Sequence, residues 1–332
     1  MVDNQPTEYK GVNSRCRICD NARNNSVHIV HEMLFGFRDK FEYFECGNCG
    51  CLQIKELPDD LAKYYPDNYY SLNVEVIKRK PFIFSFLKRQ RLAYYLCEKN
   101  IIGLLLCCVT GIPDLPVWIK HAHLAVNYNI LDVGCGTGSL LIKLKEEGFN
   151  NLVGCDPYLD HDIFYENGIS IYKREVYDME GSFDFIMLNH SFEHMNDPLL
   201  ILGKLYNILK PNRFVMIRTP VVPNFAWEKY KTFWVALDAP RHLFIHSISS
   251  LSILSKQAGF KILNIVYDST ALQFIGSEQY SQGIPLKSNR SFKINPKKSI
   301  FSDEDIRSFE ENANKLNKNK IGDQACFFLY KE

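Results

Sequence analysis

The sequence predicts an α/β protein whose main domain is a doubly wound, mostly parallel sheet, preceded by a small cysteine-rich module. Two observations support this prediction. The stretch "NILDVGCGTGSLLIKLKEEGF", residues 129–149, has the pattern of a buried strand, a glycine-rich turn and an amphipathic helix with Gly148 at its C-cap. Near the start of the chain, two Cys-x-x-Cys pairs, Cys16/Cys19 and Cys46/Cys49, have a spacing typical of metal-binding knuckles.

Length and composition are those of a folded, globular chain. Its 332 residues suffice for one large domain and a smaller module, and 46% hydrophobic content can fill a core. A formal net charge of +1 does not indicate a polyanionic partner, so nucleic acid is an unlikely one. The N-terminus lacks the apolar segment of a signal peptide, and the longest apolar run, residues 101–112, is shorter than the roughly 20 residues of a spanning helix. We therefore expect a cytoplasmic protein without a transmembrane segment.

The four paired cysteines predict a zinc ribbon within residues 1–60. Four thiolates close a tetrahedral site, which suits structural zinc and leaves no position open for catalysis. An odd total of eleven cysteines also favours metal ligands and buried thiols over a disulfide framework. Cys51, His28 and His31 are weaker candidate ligands. The alternative is that the four cysteines are unrelated buried thiols.

Residues 61–125 are predicted to form a tyrosine-rich linker followed by a helical arm. The segment "YYPDNYYSL", residues 64–72, either packs aromatic rings on the domain surface or forms a lid over a ligand. The segment "KRKPFIFSFLKRQR", residues 78–91, is basic with interleaved phenylalanines. We predict a solvated helical arm here, and contact with an anionic membrane surface or a phosphate-bearing substrate stays open.

The glycine-rich turn predicts a site for a nucleotide-like cofactor. Gly134, Gly136 and Gly138 let the backbone turn sharply and pass close to a ligand. The next predicted strand ends in Asp156, the position of an acid that accepts ribose hydroxyls in doubly wound folds. The spacing differs from the dinucleotide pattern G-x-G-x-x-G because Ser139 occupies the place of the third glycine.

The segment "LNHSFEHMNDP" contains H-x-x-E-H at residues 190–194, a pattern also found in inverted zinc proteases. In those enzymes both histidines lie on one helix, whereas here His190 directly follows the predicted strand "FDFIML". The next helix is predicted to begin at Pro198 with Asp197 as its N-cap. The histidines are therefore expected on an irregular turn at the carboxyl end of a strand, where open α/β sheets bind ligands. This placement argues against a metallopeptidase.

With these motifs the chain resembles the class I S-adenosylmethionine-dependent methyltransferases, whose first motif looks like "LDVGCGTG". The resemblance continues through "FDFIMLNHSFEHMNDP", "PLLILGKLYNILKPNRFVMIRTP", "SSLSILSKQAGFKILNIVYD" and "GDQACFFLYKE". It implies a Rossmann-like, seven-stranded sheet with an antiparallel last strand over residues 126–332, in which residues 271–321 form a substrate or interface insertion. The sequence departs from the family pattern at Asn212 and Arg213, where a Gly-Gly turn is usual.

The resemblance also implies the cofactor and the residues that hold it. S-adenosylmethionine (SAM) would be bound by its methionine part at Asp132 and at the backbone of Gly134, Gly136 and Gly138, by its ribose at Asp156, and by its adenine near Val176, with Asn189 in the same pocket.

The ribbon, the tyrosine segment and "APRHL" together resemble bacterial methyltransferases of nucleotide-linked sugars and surface glycans. This resemblance implies a small-molecule acceptor, Tyr64 and Tyr69 near donor and acceptor, and an active-site histidine at His242. Relatives that methylate a sugar carbon often carry Tyr-x-Glu-His where this chain has Ala-Pro-Arg-His, residues 239–242. Oxygen methylation is therefore expected, with Arg241 available to hold a phosphate or carboxylate.

A histidine is the expected general base because its pKa lies near the working pH. The candidates are His242, His194 and His190. For His190 and His194 the alternative is hydrogen bonding within the loop, and for His242 it is a structural role. Two other functions stay open: an RNA methyltransferase, or a non-catalytic SAM-binding scaffold that uses the ribbon to bind a partner.

Overall fold

The computed structural model describes residues 9–10, 15–66, 82–96 and 100–332. The strands are β1 (Tyr9–Lys10), β2 (Ser26–His31), β3 (Lys40–Glu45), β4 (Leu52–Ile54), β5 (Asn129–Val133), β6 (Asn151–Cys155), β7 (Ile163–Phe164), β8 (Ser170–Tyr172), β9 (Phe183–Asn189), β10 (Leu209–Val222), β11 (Phe244–Ser247), β12 (Lys261–Tyr267) and β13 (Gln324–Lys331). The α-helices are α1 (Phe82–Tyr95), α2 (Ile101–Thr110), α3 (Ser139–Glu147), α4 (Pro198–Ile208), α5 (Phe225–Tyr230), α6 (Ile248–Gln257), α7 (Leu272–Ser281) and α8 (Asp303–Lys318).

The central sheet is mixed and mostly parallel. Five strands pair in parallel in the order β8-β6-β5-β9-β10. The terminal strand β13 lies between β10 and β12 and is antiparallel to both, and the short β7 pairs antiparallel with β8. This is the Rossmann-like α/β architecture that the alternation of strands and helices in the sequence predicts.

Apolar side chains cover both faces of this sheet. In β9, Ile186 and Leu188 belong to one hydrophobic cluster, whereas Phe185 and Met187 belong to another. Because successive side chains of a strand point to opposite faces, the two clusters lie on opposite faces of the sheet. Burial on both faces explains why residues 185–188 of β9 form an unbroken apolar run and not an alternating pattern.

The cysteine-rich module is continuous with the central sheet. β2, β3 and β4 form an antiparallel meander, β4 pairs antiparallel with β11, and β11 pairs in parallel with the end of β10 at Val221 and Val222. Within the described residues the sheet therefore has thirteen strands, four of which, β1–β4, precede residue 60. The cysteine-rich module is thus joined to the main sheet, and the seven strands expected of residues 126–332 stay a prediction. The 14 residues of β10 make this connection possible, because its last residues extend beyond β9 and pair with β11. The domain division at residues 60 and 125 stays a prediction.

The predicted helical arm contains α1 and α2, and α1 packs on α3. Lys88 and Arg91 of α1 form ion pairs with Glu147 of α3. Tyr69 and residues 78–81 of the basic segment lie outside the described residues. None of the helices in the described part combines the length and apolar character that crossing a membrane requires.

Several local predictions are confirmed. α4 begins at Pro198 after Asp197, and α3 ends at Gly148, whose φ of 122° suits glycine. His190 lies on a turn after β9 and not on a helix. Asn212 has a φ of 56°, a left-handed value that asparagine tolerates, so it takes the place of a glycine where the pairing of β10 with β9 is irregular.

Candidate active site

The glycine-rich turn after β5 lies at the carboxyl edge of the sheet. Gly134, Gly136 and Gly138 all have positive φ, at 73°, 54° and 83°. A Cβ added to Gly134 would lie 2.4 Å from the Cβ of Ser191, and one added to Gly138 would lie 2.3 Å from Cδ1 of Ile171. The turn therefore needs glycine for its conformation and for its close packing on neighbouring segments.

Two buried acids flank this turn. Oδ2 of Asp156 accepts a hydrogen bond from the backbone N–H of Gly136 at 2.8 Å, and Oδ1 accepts one from that of Tyr158 at 3.0 Å. Burial raises the pKa of Asp156 despite these hydrogen bonds. Burial and the nearby Asp156 carboxylate raise the pKa of Asp132 well above its usual range. In the described part of the chain neither acid has a lysine or arginine ion-pair partner, so a cationic ligand such as SAM, with its ammonium and sulfonium groups, fits here.

The other two residues assigned to the cofactor pocket lie close to the same edge. Val176 is buried in a single 3-10 turn, Val176–Asp178. Asn189 ends β9, and its Oδ1 accepts a hydrogen bond from Nη1 of Arg218 at 3.2 Å. Their roles toward adenine and the cofactor pocket stay predictions.

The turn after β9 places His190 and His194 beside the glycine turn. His190 has a φ of 55°, and Phe192–His194 form one 3-10 turn. Oγ of Ser191 donates to the carbonyl oxygen of Val133 at 2.6 Å, which ties this turn to the end of β5. Adjacent carboxyl ends of parallel strands are where such folds bind ligands.

His190 is held on both sides. Its Nε2 lies 2.6 Å from Nη1 of Arg218, and its Nδ1 lies 3.4 Å from Oε1 of Glu193. Because a guanidinium can only donate, Nε2 is the acceptor and the proton lies on Nδ1. With its lone pair engaged, His190 is the least suited of the three histidines to act as a general base, and the geometry favours its alternative role within the loop.

His194 and His242 come together from different loops. Their ring centroids are 4.7 Å apart. Nδ1 of His194 lies 2.8 Å from the carbonyl oxygen of Arg241, and Nδ1 of His242 lies 2.7 Å from that of Ala236. Because a carbonyl oxygen only accepts, each Nδ1 carries the proton and each Nε2 keeps its lone pair. Burial and the neighbouring His242 lower the pKa of His194, which favours its neutral form.

Glu193 lies fully buried next to these rings. Its Oε2 accepts a hydrogen bond from Oγ1 of Thr219 at 3.0 Å. Its Oε1 lies 3.9 Å from Nε2 of His242 and accepts no hydrogen bond within the described part of the chain. Burial opposes ionisation of Glu193, but the close Nδ1 of His190 and the charges that the neighbouring imidazoles can carry outweigh it and lower its pKa to about 2.

Arg241 does not face a ligand, which corrects the expectation that it could hold a phosphate or carboxylate. Its side chain is fully buried. Nη2 lies 2.9 Å from Oε1 of Glu32 and 2.6 Å from Oδ1 of Asp238, and Nη1 donates to the carbonyl oxygen of Tyr64 at 3.1 Å. A buried guanidinium needs internal partners for its charge and donors, and these carboxylates supply them.

Tyr65, not Tyr64, reaches the histidines. The hydroxyl of Tyr64 donates to Oδ2 of Asp39 at 2.7 Å, and its ring packs within the cysteine-rich module. The hydroxyl of Tyr65 lies 3.3 Å from Nδ1 of His194, and its ring stacks on Tyr158 with centroids 5.7 Å apart. This arrangement corrects the expectation for Tyr64, and Tyr69 lies outside the described residues.

The four paired cysteines converge. Sγ of Cys16 lies 3.6 Å from that of Cys49, and Sγ of Cys19 lies 3.5 Å from that of Cys46. Tetrahedral zinc with Zn–S bonds of about 2.3 Å separates its sulfurs by about 3.8 Å. All four sulfurs lie within 4.8 Å of one another, so the cluster fits zinc. Cys51 lies outside the cluster, with its Sγ 3.8 Å from the carbonyl oxygen of Leu52.

The cysteine-rich module contacts the loop that carries His242. The hydroxyl of Tyr43 donates to the carbonyl oxygen of His242 at 2.7 Å. Nη2 of Arg17 lies 3.4 Å from the carbonyl oxygen of Leu243, and its Nε lies 3.3 Å from Oε1 of Gln53. Gln53 in turn donates to Sγ of Cys16 at 3.1 Å. A chain of hydrogen bonds through Gln53 and Arg17 therefore connects the cysteine cluster to the loop that carries His242.

Sequence reasoning missed three contributors to this site: Tyr65, Thr219 and Glu32. The tyrosine segment indicated that some tyrosine was involved but not which one. Glu32 and Arg241 are 209 residues apart, and no local pattern links them.

A family described as methyltransferase domain matches residues 88–265 of this chain. Over 170 residues the chain is 24% identical to the tRNA U34 carboxymethyltransferase of Alteromonas mediterranea, covering 44% of this chain and 48% of that protein. Over 166 residues it is 25% identical to the ubiquinone biosynthesis O-methyltransferase of Pseudomonas aeruginosa, covering 45% of this chain and 71% of that protein. A solved SAM-dependent methyltransferase from Archaeoglobus fulgidus has a TM-score of 0.38 and 23% identity, covering 61% of this chain and 85% of that chain. The chain thus spans about half the length of the tRNA-modifying relative.

The family match includes the glycine turn, both buried acids and all three candidate histidines. It covers more than half of the 332 residues, and the chain therefore belongs to the methyltransferase-domain family, in the class I, SAM-dependent group.

Proposed function

We propose that this protein transfers the methyl group of SAM to a hydroxyl of a small-molecule acceptor. The observation that supports this best is the position of the histidines relative to the glycine turn. Ser191 ties the histidine turn to the end of β5, and the stack of Tyr65 on Tyr158 connects His194 with the segment after Asp156. A donor held at the glycine turn and an acceptor at His194 would therefore be neighbours.

Methyl transfer to oxygen requires alignment, exclusion of water and removal of one proton. When bound, SAM supplies a methyl group on a positively charged sulfur. The acceptor oxygen would bond to the methyl carbon while the carbon–sulfur bond breaks. The electron pair of the broken carbon–sulfur bond would stay on sulfur. The hydroxyl proton is removed at the cluster of Glu193, His194 and His242, where both imidazole Nε2 atoms keep a lone pair.

We place the acceptor among nucleotide-linked sugars and surface-glycan precursors, on the resemblance carried by the ribbon, the tyrosine segment and "APRHL". RNA is the second candidate, because the chain is similar to a tRNA U34 carboxymethyltransferase, a protein named for its action on tRNA. This similarity weakens the expectation that nucleic acid is an unlikely partner. A cytoplasmic location stays a prediction.

We also propose that Cys16, Cys19, Cys46 and Cys49 hold one structural zinc ion in a module of residues 1–60. The sulfur spacing and the closed set of four thiolate ligands support this. Residues 61–125 would then be the linker and arm, and residues 126–332 the methyltransferase domain with an insertion at 271–321.

The substrate is tested by incubating the full chain with SAM labelled on its methyl group and an extract of the source cells. The extract is then separated into nucleotide-sugar and glycan, lipid, RNA and protein pools. Label in the sugar pool is the expected result. Label in RNA that disappears steeply with added salt would favour the second candidate, and no label in any pool, with SAM still bound, would indicate a scaffold.

Replacement of His194 or His242 by Gln is expected to lower kcat by about 100-fold or more, the range for loss of acid–base catalysis. SAM affinity should change little, because the Nδ1 hydrogen bonds of both rings go to the carbonyl oxygens of Arg241 and Ala236 and not to the glycine turn. Turnover is measured with the identified acceptor and SAM affinity by calorimetry. His161→Gln, at an exposed position, is the matched control. Equal losses of turnover and SAM affinity would contradict a role toward the acceptor.

A further inference from the structure

We infer that Glu193, His194 and His242 bind one divalent transition-metal ion, separate from the zinc proposed for the cysteines. This inference rests on the proposed function, because it states how the same cluster activates the acceptor hydroxyl. One nitrogen of each ring and one carboxylate oxygen lie within 4.8 Å of one another. Two imidazoles and a carboxylate form a ligand set that binds zinc and other first-row divalent ions and leaves positions open for a substrate.

The carboxylate oxygen Oε1 of Glu193 is the strongest indication. Glu193 is fully buried, and in the described part of the chain its Oε1 accepts no hydrogen bond. Buried carboxylates are otherwise paired, hydrogen-bonded or bound to a metal ion. The oxygen points toward the histidines, with Nε2 of His242 3.9 Å away. That distance is too long for a hydrogen bond. It is wider than the roughly 3.4 Å between two ligands of a tetrahedral ion, but it is below the roughly 4.2 Å limit for two ligands that share one ion through bonds of about 2.0–2.2 Å.

The atoms of the three side chains that face away from the inferred ion make the hydrogen bonds expected of metal ligands. Both imidazoles donate Nδ1–H to a carbonyl oxygen, that of Arg241 for His194 and that of Ala236 for His242. Such an outer hydrogen bond fixes the ring and leaves Nε2 to bind the ion. The second oxygen of Glu193 is likewise held, by Thr219.

An ion pair between Glu193 and a protonated His242 is the competing explanation. A charge-assisted hydrogen bond of that kind is about 2.7–2.9 Å long, and the observed 3.9 Å is far longer. Nδ1 of His190, which carries its proton, is nearer at 3.4 Å and pairs with Oε1 electrostatically. The contact does not have hydrogen-bond geometry, so Oε1 still has room for a further ligand. The carboxylate therefore faces the histidines across a gap that a metal ion fills better.

This site differs from the H-x-x-E-H arrangement of zinc proteases. Only Glu193 and His194 of that pattern take part, and the third ligand, His242, comes from another loop, while His190 is engaged by Arg218. An ion here would hold the acceptor oxygen and lower the pKa of its hydroxyl. Because the ion would then occupy the Nε2 lone pairs of His194 and His242, the hydroxyl proton would pass to water and not to an imidazole. The acceptor oxygen would then bond to the methyl carbon as that carbon leaves sulfur.

The test counts metal ions in the full-length protein. The protein is treated with chelator, reloaded with Zn²⁺ and dialysed, and its metal content is measured by mass spectrometry. Wild type and His161→Gln should hold two ions per chain, whereas Glu193→Gln and His242→Gln should hold one. Reloading with Co²⁺ distinguishes the sites, because only the cysteine site gives an intense thiolate-to-cobalt band. The second equivalent should add weak visible bands that Glu193→Gln lacks.

One ion per chain in wild type, with a complete thiolate-to-cobalt band and no further Co²⁺ binding, would overturn the inference. Circular dichroism checks that the variants fold, and His242→Gln replaces Glu193→Gln if the latter does not. Methyl transfer by protein that binds only one ion would contradict the inferred metal site and leave the proposed function standing. Binding of a second ion without methyl transfer to any pool would contradict the proposed function and support the metal site.

Discussion

Replacement of Cys46 by Ala is expected to unfold the cysteine-rich module and to abolish methyl transfer. Binding of structural zinc contributes on the order of 10–16 kcal/mol to the folding of small zinc modules. Cys46 supplies one of the four thiolates, and its loss should remove most of that free energy. We expect protease cleavage within the module and loss of the proposed zinc from the purified variant.

Methyl transfer should fail together with the module because the module holds the His242 loop. Tyr43 and Arg17 contact the carbonyl oxygens of His242 and Leu243, and β4 pairs with β11 directly after that loop. Without these contacts His242 would lose its position next to Glu193. SAM binding should be reduced much less, since the glycine turn proposed to hold SAM follows β5, whose two neighbours in the sheet are β6 and β9 and not strands of the cysteine-rich module.

Cys51→Ala is the matched control, because Cys51 is equally buried in the same module but lies outside the cysteine cluster. This variant should keep its zinc and most of its activity. A Cys46→Ala protein that resists proteolysis and transfers methyl groups as wild type does would show that the four cysteines are unrelated thiols.

Replacement of Arg241 by Met is expected to lower the free energy of unfolding by about 3–5 kcal/mol, as measured by urea unfolding. The guanidinium is completely buried between Glu32 and Asp238. Its charge is the largest factor that lowers the pKa of Asp238 against the effect of burial. Without it, the largely buried Asp238 would lose its main compensating charge, and the more distant His242, 3.9 Å away, would remain. Glu32 would be affected less, because three backbone N–H groups also donate to it.

Arg213→Met provides the comparison for Arg241→Met. The side chain of Arg213 is one-third exposed and pairs with Asp184, a carboxylate that Lys210 also binds. Its loss should change the free energy of unfolding by less than about 1 kcal/mol. Similar effects of both substitutions would mean that the buried network contributes no more than a surface pair.

Local sequence patterns determined much of the methyltransferase domain. The glycine turn, the acid at Asp156, the start of α4 at Pro198 and the end of α3 at Gly148 could all be predicted. Each depends on residues within a few positions of one another, through backbone conformation, capping and the period of apolar side chains. The same patterns placed His190 and His194 on a turn at the carboxyl edge of the sheet.

Only the tertiary structure decided how the parts combine. Strand pairing between β4 and β11 joins the cysteine-rich module to the main sheet, and no local periodicity specifies which strand edge pairs with which. The sequence predicted that Arg241 could bind a phosphate or carboxylate of a ligand. In the structure its guanidinium forms an ion pair with Glu32, which is 209 residues away. His242 meets Glu193 in the same way, from a distant loop. The sequence by itself thus determined the type of fold and the glycine turn proposed to bind SAM. The proposed acceptor side depends on long-range contacts between buried polar groups, and tertiary packing decided it.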